Sequence, residues 1–239
     1  MVSYFRPIDF ELSVESIINN TDEYHLSIID NSCGGLKKQL SKYSSHQHIT
    51  IYENDTNIGK GRGVMKWYNQ IMNNSTEKFF ISIDSDIEVQ PKWLPRLINA
   101  RSKIKFPFGI LAPTIMNTKG EWFNLQKQSK FIMHNTKVMY HISDELYYNR
   151  YTAGPVILID REFFESINGY SQDQLYGSDD GKLCKAADDQ GRFIGIISNV
   201  HVIHLRNDNS VEYQKWKNTN MGEDGIGYWD QFCNQNNIF

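Results

Sequence analysis

The chain has 239 residues, of which 40% are hydrophobic and 22% charged, with a net charge of −3 and a pI near 6.2. That much apolar material supports a packed core and excludes a disordered or low-complexity chain. A slightly acidic balance offers no basic field for a phosphate polymer, so nucleic acid is not expected as a partner.

Strand-like and helix-like pieces alternate through the first half. Met1–Tyr4 reads as a short strand, and Phe10, Val14, Ile17 and Ile18 recur at helical spacing. Tyr24–Ile29 is a strand running into Asp30 and the turn-rich Asn31–Gly35. Leu36–Tyr43 reads as helix and His48–Tyr52 as strand. A glycine-bearing loop follows, then a helix over Arg62–Met72 and a strand over Lys78–Ile83 that breaks at Asp84-Ser85-Asp86. Trp93–Ala100 is a helix with Pro95 in its first turn, and Gly109–Ala112 a fifth strand.

Asn117–Arg150 has no clean period. Beyond it come a strand (Pro155–Ile159), a helix (Arg161–Ile167) closed by Asn168-Gly169, a helix starting near Ser178, and two strands, Phe193–Ile197 and Val200–His204. The alternation predicts an α/β fold with a mostly parallel central sheet and helices on both faces. Ligands of such sheets sit beyond the carboxyl ends of the strands, where Asp30, Asn57 and the Asp84/Asp86 pair all fall.

No repeat or linker divides the chain, so a single domain is expected. Its halves are residues 1–113 and 114–204, and residues 205–239 form a C-terminal extension. No run of about 18 apolar residues would span a membrane. Met1–Pro7 lacks the features of a signal peptide, and Cys33, Cys184 and Cys233 lie far apart without CxxC spacing, so a cytoplasmic protein is expected.

Asp84-Ser85-Asp86 carries the sharpest chemical signal. Residues two apart on an extended backbone face the same way, which places the carboxylates about 6–7 Å apart. A hard cation, Mg²⁺ or Mn²⁺, would relieve their repulsion and bridge to a diphosphate; a solvated turn after a buried strand is the competing reading. Asp179-Asp180 reads either as first-turn acids favouring the helix dipole or as a source of one general base, since helical neighbours diverge by about 100°. His201 and His204 fall on opposite faces of a strand, so at most one serves a site. Asn57-Ile58-Gly59-Lys60-Gly61-Arg62-Gly63 fits neither G-x-x-x-x-G-K-[ST] nor G-x-G-x-x-G; it is a flexible turn or a loop from which Lys60 and Arg62 reach a phosphate. Tyr140, Tyr147, Tyr148 and Tyr151 are either packing or a stacking platform for sugar rings.

Taken in order, these segments resemble the GT-A (Rossmann-like) glycosyltransferases of family 2, over most of the chain. Ser27–Ser32, Asn57-Ile58-Gly59, Ile83–Asp86, Ala153–Tyr170 and Gly177–Cys184 carry the likeness. The resemblance implies transfer of a sugar from a nucleotide-sugar, with UDP expected, to an acceptor hydroxyl on a glycan or glycoconjugate, with inversion. It assigns Asp30 to the uracil ring, Asn57 to the donor, where Lys60 and Arg62 of the same loop would reach a phosphate, and Asp86 and His204 to Mn²⁺ or Mg²⁺, with Asp84 ligating through water or holding the ribose. Asp180, or else Asp179, becomes the base. Ser178 lengthens the glycine-to-acid gap, Asp179 replaces a more usual glutamate, and Lys182 stands where many members carry a second acid. A non-catalytic nucleotide- or sugar-binding module and a sugar-phosphate nucleotidyltransferase are the alternatives; no glycine-rich triphosphate loop lies near Arg6-Pro7-Ile8-Asp9.

Overall fold

The computed structural model describes residues 1–4, 6–120, 141–143, 146–148, 152, 154–172 and 179–205. Strands β1 (Val2–Ser3), β2 (Leu26–Asp30) and β3 (Ile49–Glu53) pair in parallel, with helices α1 (Pro7–Asn20) and α2 (Lys37–Ser41) as crossovers. Helix α3 (Lys60–Ile71) leads to β4 (Phe79–Ile83), and a parallel bridge between Val2 and Asp84 joins this sheet to a larger one.

The larger sheet has the order β4-β9-β6-β10-β8-β7. Here β6 is Phe108–Asn117, β7 His141–Ser143, β8 Leu146–Tyr148, β9 Val156–Asp160 and β10 Phe193–His204; β5 (Ile87–Val89) pairs with the far end of β10. Strands β1 to β4, β6 and β10 point one way, whereas β9, β5 and β8 oppose them. Most strands therefore run one way, as the alternation predicts, with β9 inserted antiparallel between β4 and β6.

Helices α4 (Trp93–Ser102), α5 (Arg161–Ser166) and α6 (Asp179–Asp189) complete the described elements. Successive strand residues feed opposite faces, because side chains alternate across a strand. Ile83, Leu111, Leu158 and Ile197 pack with Phe10, Leu40 and Leu97 in one core. Phe80, Ile110, Ile157 and Ile194 pack with Val64, Phe163 and Leu183 in the other.

Three differences from the sequence reading matter for the site. The two strands expected after Arg192 are one, β10, with a register shift between Ile197 and His201; Thr114 Oγ1 donates to the Ile197 carbonyl there at 2.9 Å. Two short strands, β7 and β8, form within the segment without a clean period. Strand β5 lies where no strand is expected, since three residues are too few to show alternation.

Helix α1 explains how so short a strand holds. Ser13 and Ser16 share the buried face of Phe10, Val14 and Ile17. Ser13 Oγ donates to the Ile87 carbonyl at 2.6 Å and accepts from the Ile87 N–H at 3.3 Å. Ser16 Oγ accepts from the Val89 N–H at 3.1 Å, and Asn20 Nδ2 donates to the Val89 carbonyl at 2.9 Å. The edge of β5 that faces away from β10 is thereby satisfied by side chains. Ser13→Ala leaves two buried backbone groups without that partner and is expected to cost about 1–3 kcal/mol, read as a lowered denaturation midpoint at unchanged m.

No helix among the described residues is long and apolar enough to cross a membrane. Residues 206–239, Cys233 among them, lie outside the described residues, as do Tyr140, Tyr151 and Ser178.

Candidate active site

Asp84, Ser85 and Asp86 leave the sheet at the carboxyl end of β4, and β5 takes the chain back at once. Pairing of β5 with β10 sets His204 opposite Ile87, and the Leu205 N–H donates to the Asp86 carbonyl at 2.9 Å. This brings His204 Nε2 to 3.7 Å from Asp86 Oδ2. His201 lies on the opposite face, as strand geometry requires.

Each acid of the pair faces a cation of the protein itself. Lys60 Nζ donates to Asp84 Oδ1 at 2.6 Å, and Arg6 Nη1 to Asp86 Oδ2 at 2.8 Å. Burial presses the Asp84 carboxyl towards its neutral form, Lys60 opposes this, and Asp86 adds to it. Burial also works against the charge of Lys60, but Asp84, Tyr170 and Asp179 outweigh it and hold the ammonium firmly protonated.

Lys60 is placed by a run of local contacts. Gly59 precedes α3 with φ 81°, a conformation that costs glycine little. Its N–H donates to Asn57 Oδ1 at 2.9 Å and its carbonyl accepts from Asn31 Nδ2 at 3.2 Å. Asn54 Nδ2 donates to Asn31 Oδ1, and Lys66 Nζ to Asn54 Oδ1, so the loop rests on a polar chain that sequence spacing does not reveal. Asn57 thus acts through the backbone of Gly59. Arg62 is turned away from Lys60; its Nε donates to the Gln172 carbonyl at 2.7 Å.

Asp30 is fully buried. Its Oδ1 accepts from Ser3 Oγ and the Ser32 N–H at 3.2 and 3.0 Å, and its Oδ2 from Ser32 Oγ at 2.9 Å. The carboxylate lies under the Asn31–Ser32 turn and does not line an open cleft.

The second acidic pair divides sharply. Asp180 Oδ2 accepts from the Gly154 N–H at 3.0 Å and Oδ1 from the Gly181 N–H at 2.9 Å. Asp180 thereby ties the start of α6 to the loop before β9, and a Cβ on Gly154 would come within 2.8 Å of its Cβ. The Gly154 carbonyl in turn accepts from Lys60 Nζ at 3.2 Å. Asp179 faces the start of α3 instead. Burial foremost, with help from Asp180 and Asp84 and against Lys60 and Lys182, pushes its pKa up to about 7.

Close approach of α3 to the loop after α5 makes this possible, since a Cβ on Gly61 would lie 2.1 Å from the Ser171 carbonyl oxygen. Beside Asp179 opens a cavity of about 360 Å³, lined in part by Asn168, Tyr170, Ser171, Gln172 and Lys182. Lys182 Nζ donates to Ser171 Oγ at 3.1 Å. Tyr170 is buried against Lys60 and Asp179, and burial raises its phenol pKa well above the usual range. Sequence reasoning gave Tyr170 and Gly154 no chemical role, although both lie in stretches that carry the family likeness; Arg6 had no such signal.

Residues present suit a divalent ion only in part. Asp86 and His204 converge, but no group of three or more His, Cys, Asp or Glu side chains among the described residues is set to hold a metal. One carboxylate and one imidazole fit an ion whose remaining ligands are water and phosphate oxygens, the usual situation for Mg²⁺ and Mn²⁺ beside a diphosphate.

The sheet and the helices around it form a GT-A-like α/β fold. The model of the family "Glycosyl transferase family 2" matches residues 1–167, and the chain belongs to that family. Solved structures of similar fold include GalNAc-T7 with UDP, GalNAc and Mn²⁺ (16% identity, TM-score 0.63, covering 87% of this chain and 44% of that one). Mannosyltransferase PcManGT from Pyrobaculum calidifontis with GDP-Man and Mn²⁺ matches at 13% identity and TM-score 0.64, covering 91% and 59%. Residues 1–349 of S. aureus TarS with UDP-GlcNAc match at 12% and 0.66, covering 87% and 58%. The chain thus spans about half the length of these proteins. Comparison with curated proteins finds no match.

Proposed function

We propose that the protein is a metal-dependent, inverting glycosyltransferase that moves a sugar from a nucleotide-sugar, with UDP as the expected nucleotide, to an acceptor hydroxyl of a glycan or glycoconjugate in the cytoplasm. The observation that carries this reading is the meeting of Asp86, His204, Asp84, Lys60 and Asp179, drawn from four separate stretches, at the carboxyl edge of the sheet. Mn²⁺ in two of the similar structures supports the metal, and the nucleotides named in all three support the donor class.

Asp86 and His204 would hold Mn²⁺ or Mg²⁺, whose charge would stabilise the diphosphate as it leaves. Lys60 adds a fixed positive charge on the same side through its bond to Asp84. An acceptor seated in the cavity beside Tyr170 would present its hydroxyl to Asp179, which takes the proton as the oxygen attacks the anomeric carbon. The bond from that carbon to the diphosphate breaks on the opposite face and its electron pair leaves with the diphosphate, which inverts the centre. Asp179 is preferred to Asp180 because both oxygens of Asp180 already accept backbone N–H bonds.

Asp30 supports the base-binding turn from below. A direct bond from uracil N3–H to its carboxylate requires the Ser32 hydroxyl to swing aside. Arg62 has its place in this reading as a brace on the Gln172 segment at the mouth of the cavity.

The test is a screen of UDP-, GDP- and dTDP-sugars for hydrolysis and transfer with and without Mn²⁺. Mn²⁺-dependent release of UDP is the expected result. UDP binding without turnover of any donor would favour the non-catalytic module, and pyrophosphate release from a nucleoside triphosphate with a sugar phosphate would favour the nucleotidyltransferase.

A further inference from the structure

The Asp86 carboxylate is offered to two partners through one atom. Oδ2 accepts from Arg6 Nη1 at 2.8 Å and faces His204 Nε2 at 3.7 Å, with both side chains of the Arg6–Asp86 pair mostly withdrawn from solvent. A hard divalent ion binds a carboxylate oxygen at about 2.0–2.2 Å. A guanidinium at hydrogen-bond distance from the same oxygen would place two positive charges almost in contact, where they repel strongly. The guanidinium and a divalent ion therefore compete for Asp86 through their charges.

Arg6 reaches this position from an unusual backbone. It precedes α1 with φ 76° and ψ 66°, a left-handed conformation that costs a residue with a Cβ about 1–2 kcal/mol. Pro7 follows at the first helical position, so the chain enters α1 with its geometry set and the guanidinium directed to the turn between β4 and β5. With Lys60 on Asp84 and Arg6 on Asp86, the acidic pair is electrically balanced by the protein itself.

We infer that Arg6 is a resident counter-ion of Asp86, which a divalent metal must displace before it can bind. Resting on the metal-dependent reading above, the inference adds a competitor inside the site. Arg6 holds Asp86 beside His204 in the metal-free protein and sets a threshold for metal. A divalent ion enters when its own gain, with phosphate oxygens as further ligands, exceeds the loss of the ion pair. Arg6 is a positioning residue in this scheme and takes no part in bond breaking.

Mn²⁺ binding, followed through the loss of the free-ion electron paramagnetic resonance signal, tests this without any turnover. Two variants keep the test independent of folding: Arg6→Gln retains a polar side chain, and Arg6→Gly relieves the left-handed backbone while removing the guanidinium. Both are expected to bind Mn²⁺ about fivefold more tightly than the parent, the ratio that a partly exposed ion pair supplies when removed as a competitor. Each should also show a larger rise in Tm on adding Mn²⁺ than the parent. Asp86→Ala should remove the binding in every background. Unchanged or weaker Mn²⁺ binding in both Arg6 variants, with binding still lost in Asp86→Ala, overturns the inference and leaves the metal reading standing. Absence of Mn²⁺ binding in all proteins, with and without UDP, overturns both.

Discussion

Replacing Asp86 with alanine is expected to lower Mn²⁺-dependent UDP affinity by about 100-fold or more, while metal-free UDP binding changes little. The loss has two sources. One is the carboxylate, the charged group that faces His204 at 3.7 Å and that would carry the ion. The other is Arg6, which loses the acid it bonds at 2.8 Å and leaves an uncompensated positive charge where the ion would sit. Calorimetric titration of UDP with and without Mn²⁺ in Asp86→Ala and in Asp86→Ala/Arg6→Gln separates these terms. The double variant should recover only the part due to the Arg6 charge, because removing the competitor does not restore the ligand. Equal Mn²⁺ dependence in Asp86→Ala and the parent would place the metal elsewhere.

Much of this arrangement can be read from the amino-acid order, and the parts that cannot have a common cause. Apolar runs such as Phe79–Ile83 and the helical spacing of Phe10, Val14 and Ile17 report burial directly, so the α/β alternation and the strand-end acids were legible. Strand direction was not, because an apolar stretch such as Val156–Asp160 reads the same whether it enters the sheet parallel or antiparallel. Strand β5 was hidden for another reason. Its outer edge is satisfied by Ser13, Ser16 and Asn20, polar residues that on a helix ordinarily suggest solvent. Without β5, no spacing argument brings His204 to Asp86; that meeting came from family resemblance alone and follows structurally from the β5–β10 register. Asp30 shows the reverse limit. Its place at a strand end was legible, but its capture by Ser3 and Ser32 depends on contacts across 27 residues of sequence and within a turn.

The acidic pair at the start of α6 is where the proposed roles depart most from the family position. Family position favours Asp180 as the base, yet both its oxygens already accept from backbone, the N–H groups of Gly154 and Gly181. Asp179 has the opposite environment, and its pKa of about 7 suits proton abstraction near neutral pH.

Asp179→Asn is therefore expected to lower kcat by about 10²–10⁴-fold with donor affinity nearly unchanged, the usual effect of removing a positioned base. Asp180→Asn is expected to act differently: the amide loses one acceptor oxygen, so the link from α6 to Gly154 weakens and the main effect falls on Tm. The pH profile gives an independent check. Only the ionised carboxylate accepts a proton, so with a pKa of about 7 the parent rate should rise with pH and level off above neutrality, with about a tenth of the plateau at pH 6. Stability follows the opposite sign. The carboxyl titrates higher in the folded chain than its ordinary 3.8, so its contribution is fully present below that value and is lost as pH rises through about 7. Lys60→Met removes the cation that opposes burial at Asp179, so the rising limb should move to higher pH, while in Asp179→Asn the limb should disappear. A kcat loss in Asp180→Asn of 10²-fold or more at unchanged Tm, with a near-parent rate in Asp179→Asn, would return the base to Asp180.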